Sequence, residues 1–215
     1  MSQRAHIFVD GNNWFHGLGE VRVRQRGELD YAKIYTKLVG PRQWTGTTYY
    51  IGRVDQNWNR EHYAAQRRFI SKMENDDDRI VTRFGRLEKR REENPAAKEL
   101  LRYLSNLSVR VDSRVFRDLQ QIGQRNRMSE FLVEKAVDVN LAVDMVVMAE
   151  RDEYDHAYLL SADGDYTPAV EAVHVAGKKV YAASPLYGHK LSRACDAYIR
   201  LPRDWFDDCY RDRFR

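Results

Sequence analysis

The chain is expected to be α/β, a Rossmann-like parallel sheet with helices on both faces, and three observations predict it. β-branched and aromatic runs alternate with helical patterns along the sequence, the order from which parallel sheets are built. Two apolar runs end in carboxylates: Ala5-His6-Ile7-Phe8-Val9 leads to Asp10-Gly11-Asn12-Asn13, and Ala157-Tyr158-Leu159-Leu160-Ser161 leads to Asp163-Gly164-Asp165-Tyr166. Buried parallel strands read as continuous apolar runs, and ligands bind outside their carboxyl ends. Finally, 215 residues with 43% hydrophobic and 32% charged content suit one sizeable core rather than a disordered chain.

The elements follow in order. The first strand, 5–9, runs into a Gly-Asn turn. Apolar residues at 31, 34, 35 and 38 repeat at helical spacing, and Gly40-Pro41 ends that helix. Thr47-Thr48-Tyr49-Tyr50-Ile51 is a strand. A helix is expected from about Asn59 to Asn75, then a third strand over 79–85. Residues 86–130 differ from both flanks: a charge run over 87–94, a break at Pro95, and two weakly amphipathic stretches, 96–104 and 112–122. We read a charged, partly helical insertion at about 86–130 in a single domain over 1–215, since the segment is too short and polar to bury a core of its own. Beyond it we expect a helix over 134–149, a strand over 156–161, a helix over 168–176, a strand over 180–183, a helix over 190–196, a short strand at 198–201 and a helical tail from Trp205.

Composition narrows the partners. A net charge of +4 permits a polyanion without requiring one. Cys195 and Cys209 fit neither a zinc knuckle nor a Cys-x-x-Cys pair, so a reducing cytoplasm is the expected setting. The first residues run directly into a strand instead of a signal-peptide core. No run of about 18 apolar residues would span a membrane.

Two carboxylate-tipped strands side by side would bring three carboxylates together. Such crowding is costly unless protons or a hard cation neutralise it, which points to Mg²⁺ or Mn²⁺. Asp10-Gly11-Asn12-Asn13 alone is also what any turn uses. Between the strands, the stretch from Glu134 to Met145 puts Asp138 near a helix start, where the dipole welcomes it. It also puts Asp144 among Val143, Met145, Val146 and Val147, and a buried Asp needs a partner. Lys135 is one structural answer; a metal shared with Asp163 is the functional one.

Asp163-Gly164-Asp165-Tyr166-Thr167 fits the first motif of haloacid-dehalogenase-like phosphatases, but too little chain follows for that family's later motifs. Asp-x-Asp also marks glycosyltransferases, which need a larger acceptor half and leave Asp10 idle. Val9-Asp10-Gly11-Asn12-Asn13, the 134–145 stretch, and Leu160-Ser161-Ala162-Asp163-Gly164-Asp165-Tyr166-Thr167-Pro168 with Gly177-Lys178-Lys179-Val180 together resemble the NYN family of PIN-like nucleases. The resemblance covers the first strand and most of 131–184, with Ala162 where Gly is common.

The resemblance implies a PIN-like sheet and Mg²⁺- or Mn²⁺-dependent hydrolysis of RNA phosphodiesters. Asp10, Asp138, Asp163 and Asp165 match the family's acidic metal-site positions, and Asp144 a recurrent acidic position in the same helix. Asn13, Ser161 and Lys135 match supporting positions. A catalytically inactive RNA-binding or regulatory module of the same fold is the alternative.

RNA would be steered by cations and rings. Arg22, Arg24 and Arg26 precede the first helix, and Arg79, Arg83, Arg86, Lys89, Arg90 and Arg91 form the densest basic stretch, diluted by Glu88, Glu92 and Glu93. Trp14, Trp58 and Tyr166 are left open between stacking and core, and core is favoured for Phe15. None of the six histidines forms an acid/base pair, and His6 and His16 are expected to be structural. Residues 86–130 are left open as a contact for substrate, a partner or a second copy of the chain.

Overall fold

The computed structural model of the chain describes residues 3–57 and 59–212. Its strands are β1 (Arg4–Asp10), β2 (Gln43–Arg53), β3 (Ile80–Glu93), β4 (Met128–Lys135), β5 (His156–Leu160), β6 (Lys179–Ser184) and β7 (Ala197–Arg200). They form one sheet in the order β4-β3-β2-β1-β5-β6-β7, and the pairings of β1 with β2 and β5, β2 with β3, β5 with β6 and β6 with β7 are parallel. From β1 the chain winds outward through β2 and β3, then returns to β5 and winds out the other way. The reversal falls between β1 and β5, and in open α/β sheets such a switch point opens a crevice at the strands' carboxyl ends.

Helices α1 (Gly11–Glu20), α2 (Tyr31–Val39), α3 (Arg60–Glu74), α6 (Val137–Glu150), α7 (Thr167–Val175) and α8 (Leu191–Ala194) flank the strands. Because side chains alternate along a strand, β1 feeds two cores. Ile7 and Val9 join Trp14, Leu18, Ile34, Tyr35, Tyr49 and Met73 on one face. Phe8 joins Tyr50, Leu141, Met145, Leu159, Tyr166 and Val170 on the other. No helix among the described residues is long and apolar enough to cross a membrane.

The chain divides into two compact units, Met1–Arg86 with Lys135–Arg215, and Leu87–Glu134. In the second, α4 (Pro95–Ser105) and α5 (Ser113–Arg125) follow the charge run. Asn94 and Asp112 cap them through side-chain oxygens, the usual way to satisfy a helix's first N–H groups.

Four expectations are corrected. The turn after β1 is helix α1: its three glycines and two asparagines depress helix propensity, yet Asp10 caps it and Trp14 and Leu18, one turn apart, are buried. The third strand, expected over 79–85, runs on through the charge run as the second half of β3, where Lys89 and Arg91, two residues apart and so on one strand face, both pair with Glu130 of β4. Glu134 and Lys135 lie in β4, so α6 starts later than expected. The 190–196 helix shrinks to α8, and among the described residues the tail from Trp205 forms a 3₁₀ turn, Arg203–Phe206, in place of an α-helix.

Candidate active site at the switch point

In the β1–β5 register Val9 faces Leu160, so Asp10 and Ser161 leave the sheet together. Asp10 is 4% exposed. One of its oxygens accepts the Asn13 N–H at 3.0 Å, capping α1. The other lies 3.1 Å from Ser161 Oγ and 3.2 Å from the Tyr166 hydroxyl. Tyr166 is itself 3.1 Å from a carboxylate oxygen of Asp138, in the first turn of α6.

Supporting bonds fix the frame. Asn13 Oδ1 accepts the Ala162 N–H at 3.0 Å, tying α1 to the segment after β5. Ser161 Oγ accepts the Asp163 N–H at 3.1 Å. Asp163 caps the 3₁₀ turn Gly164–Tyr166 by accepting the Asp165 N–H at 2.9 Å. This turn buries the Tyr166 ring and leaves Asp165 exposed.

Two backbone features place Asp138. Ala136, at φ 67°, takes a left-handed conformation that costs a non-glycine residue about 1–2 kcal/mol. Gly85 of β3 lies against the chain entering α6: a Cβ there would meet Val137 Cγ2 and stand 2.7 Å from the Lys135 carbonyl.

Burial pushes the Asp10 carboxyl above its ordinary pKa, opposed by the Asn13 N–H and reinforced by the charge of Asp138. Burial, then those two carboxylates, drive the Tyr166 hydroxyl far above its usual range. One phenol carries one proton, so it can donate to Asp10 or to Asp138 but not to both at once. The second contact sets lone pairs against lone pairs unless a proton or a cation intervenes. Mg²⁺ is usually held by one or two carboxylates, with waters and substrate phosphate completing the shell, and the Asp10–Asp138 donor set fits that description. Among the described residues no three acidic, histidine or cysteine side chains group closely enough to enclose an ion alone.

Asp144 stands apart. It accepts the Tyr50 hydroxyl at 2.7 Å and pairs with Arg83. Arg83, not Lys135, is thus its structural partner, and Arg83 is an ion-pair residue rather than a free phosphate contact. Trp14, 1% exposed and edge-on to Phe206, is corrected from stacking candidate to core. Phe15 goes the other way: it is 55% exposed, with the Arg26 guanidinium 4.7 Å from its ring centre. Arg22, Arg24 and Arg86 are exposed, as is Arg90 in the second unit. His6 is bonded to Thr48 at 3.1 Å and lowered by burial to about 4. Trp58 lies outside the described residues.

Sequence reasoning missed three groups. Tyr166 was weighed as a ring, whereas its hydroxyl matters. Lys190 and Arg193 line an open hollow of about 490 Å³ with Gly164 and Asp165, and only their spacing at the start of a short helix could have suggested it.

A capped helix, a switch-point crevice and a carboxylate pair bridged by a tyrosine make an acidic site at the rim of an α/β sheet. The NYN domain model matches residues 93–202, just over half of the chain, and the chain belongs to the NYN family within the PIN-like nuclease superfamily. The match includes Asp138, Asp163 and Asp165; Asp10 lies before it. A crystal structure of a protein of unknown function from Vibrio parahaemolyticus RIMD 2210633 is similar in fold, with a TM-score of 0.51 and 17% identity over 97% of this chain and 96% of that one. No curated protein matches.

Proposed function

We propose that the chain is an Mg²⁺- or Mn²⁺-dependent ribonuclease, hydrolysing RNA phosphodiester bonds where Asp10 and Asp138 meet. The observation that carries this reading is the Tyr166 hydroxyl between two carboxylates, an acceptor-rich pair at the switch point. Asp10 and Asp138 would hold the ion, with Asp163 and Asp165 on the adjoining turn. When bound, a divalent cation supplies a water of lowered pKa and offsets negative charge on the phosphate in the transition state.

The chain's own residues do the rest. Ser161 and Tyr166 orient Asp10, and Asn13 and Ser161 tie the start of α1 to the segment after β5. Lys190 and Arg193 bind flanking phosphates as point charge and planar fork respectively. Asp165, exposed on its turn, takes the proton from the attacking water. We also propose that 87–134 is an insertion within a single NYN domain, and that the enzyme works in the cytoplasm.

Purified protein with Mn²⁺ or Mg²⁺ is expected to cut labelled RNA in preference to DNA of the same sequence, and EDTA is expected to stop it. Asp10→Asn and Asp138→Asn should each lower the rate at least about a hundredfold, since each removes a charged ligand contributing several kcal/mol. A wild-type protein that leaves a broad RNA panel intact with either metal would sink the proposal.

A further inference from the structure

On the opposite face of the sheet from Asp10's carboxylate, but at the same rim, a cavity of about 490 Å³ opens between α1 and α3. Phe15, Tyr31, Tyr49 and Phe69 wall it, and Arg26 and His62 stand among its lining residues. Gly11, which follows Asp10 directly, is part of that wall. A Cβ at Gly11 would come within 2.6 Å of the Tyr50 carbonyl and 2.5 Å of the Tyr49 ring, so the first turn of α1 can sit close only because glycine is there. The cavity and the acidic pair thus flank one short piece of chain.

The polar groups in this cavity are few. Trp14 lines it, with its indole N–H buried and without a hydrogen-bond partner among the described residues. The Arg26 guanidinium lies 4.7 Å from the centre of the Phe15 ring and donates to the Phe15 carbonyl at 3.2 Å. Arg22 and Arg24 are exposed on the same loop. A fitting occupant is planar and aromatic, carries an acceptor edge, and is tied to an anion. An aliphatic chain would leave the indole N–H and the cations unused, and a bare phosphate would leave the rings unused.

We infer that this cavity is a nucleobase subsite, taking one unpaired base of a single-stranded RNA whose neighbouring phosphate lies at the Asp10–Asp138 pair. The base stacks among Phe15, Tyr49 and Phe69, and Arg26 covers the mouth. The inference rests on the nuclease reading for the identity of its polymer, and it deepens that reading to a preference for unpaired RNA.

The test is binding in EDTA, where no cleavage occurs, of a short single-stranded RNA carrying 2-aminopurine, whose fluorescence falls on stacking. Ala65, exposed on α3 and lining the cavity, allows it to be filled by Ala65→Trp, and Phe15→Ala removes a wall from the solvent side. Both variants are expected to lose the quench and to bind about five- to a hundredfold more weakly, the range of one base–aromatic stack. An abasic nucleotide in place of 2-aminopurine should weaken wild-type binding equally. Unchanged melting temperatures separate these effects from misfolding, and the two variants lie on different helices, so one can stand if the other does not fold.

Cleavage by the wild type with no quench, or with both variants binding like wild type, overturns the subsite and leaves the nuclease standing. Quench lost in both variants with no cleavage under any metal keeps the subsite and overturns the nuclease. An apolar dye that fills the cavity and is not displaced by RNA overturns the subsite in favour of an apolar ligand.

Discussion

Two tyrosine–carboxylate pairs sit on the same core face, and they are completed differently. Tyr50 donates to Asp144, and Arg83 closes the set with a cation from β3. Tyr166 touches Asp10 and Asp138, and among the described residues no protein cation joins them. A carboxylate with an arginine partner is a finished structural unit whose desolvation is offset locally. A carboxylate pair sharing one proton is unfinished, and a protein keeps such an arrangement where something else arrives. In α6 alone, therefore, Asp144 belongs to the architecture, and Asp138 is the aspartate that the proposed reaction would use.

Substitutions at these residues put that contrast to the test. The largest expected difference is between the two aspartates of α6. Asp138→Asn should cost at least about a hundredfold in cleavage, whereas Asp144→Asn should stay within about threefold of wild type, as suits a residue that touches no reacting atom. An equal loss in both would return Asp144 to the ion's shell.

Next come the tyrosines. Tyr166→Phe removes the hydroxyl that positions both carboxylates and should weaken activating-metal affinity about tenfold, in line with other groups that orient ligands. Tyr50→Phe should leave that affinity unchanged, and each should cost about 1 kcal/mol of stability. Titration of activity with Mn²⁺ reads the first effect and thermal unfolding the second.

The smallest effect concerns pH and Asp10. Its carboxyl is held above its ordinary value, chiefly by burial, so the fold favours the protonated form. That contribution is complete below the ordinary carboxylate pKa and is lost as pH rises through the elevated one. Without metal, Asp10→Asn, which keeps an N-cap oxygen, should melt higher than wild type, by a margin that grows as pH rises from about 4 toward neutrality. Added Mn²⁺ should reverse the order by stabilising only the wild type. A margin that stays flat with pH would mean that Asp10 carries no strained charge.

Much of this was legible in the sequence because two strong signals agreed. Apolar runs ending in Asp10 and Asp163 marked β1, β5 and the rim between them, and helical spacing marked α2, α3 and α7. What escaped was structure held by partners distant in sequence. β3 beyond Gly85 has no apolar alternation, and its pairing shows only once Glu130 faces Lys89 and Arg91. Helix α1 is poor in propensity and stands on a cap and two buried side chains. The exchange of Trp14 and Phe15, adjacent residues with opposite fates, turns on the phase of a helix that propensity hides. Likewise, Arg83 finds Asp144 across the gap between a strand and a helix, where spacing along the chain offers no guide.

Gly85 carries the last consequence. Hydrogen in place of a side chain there lets β3 press against the peptide that launches α6, so the separation of the two carboxylates is set from a strand that contributes neither. A single methyl at 85 would act as a shim under the helix, lifting Asp138 from Tyr166 while every acidic residue stayed in the sequence. Such a variant would pass inspection of its motifs and fail at its task, because the spacing of the site is written in a position that has no chemistry of its own.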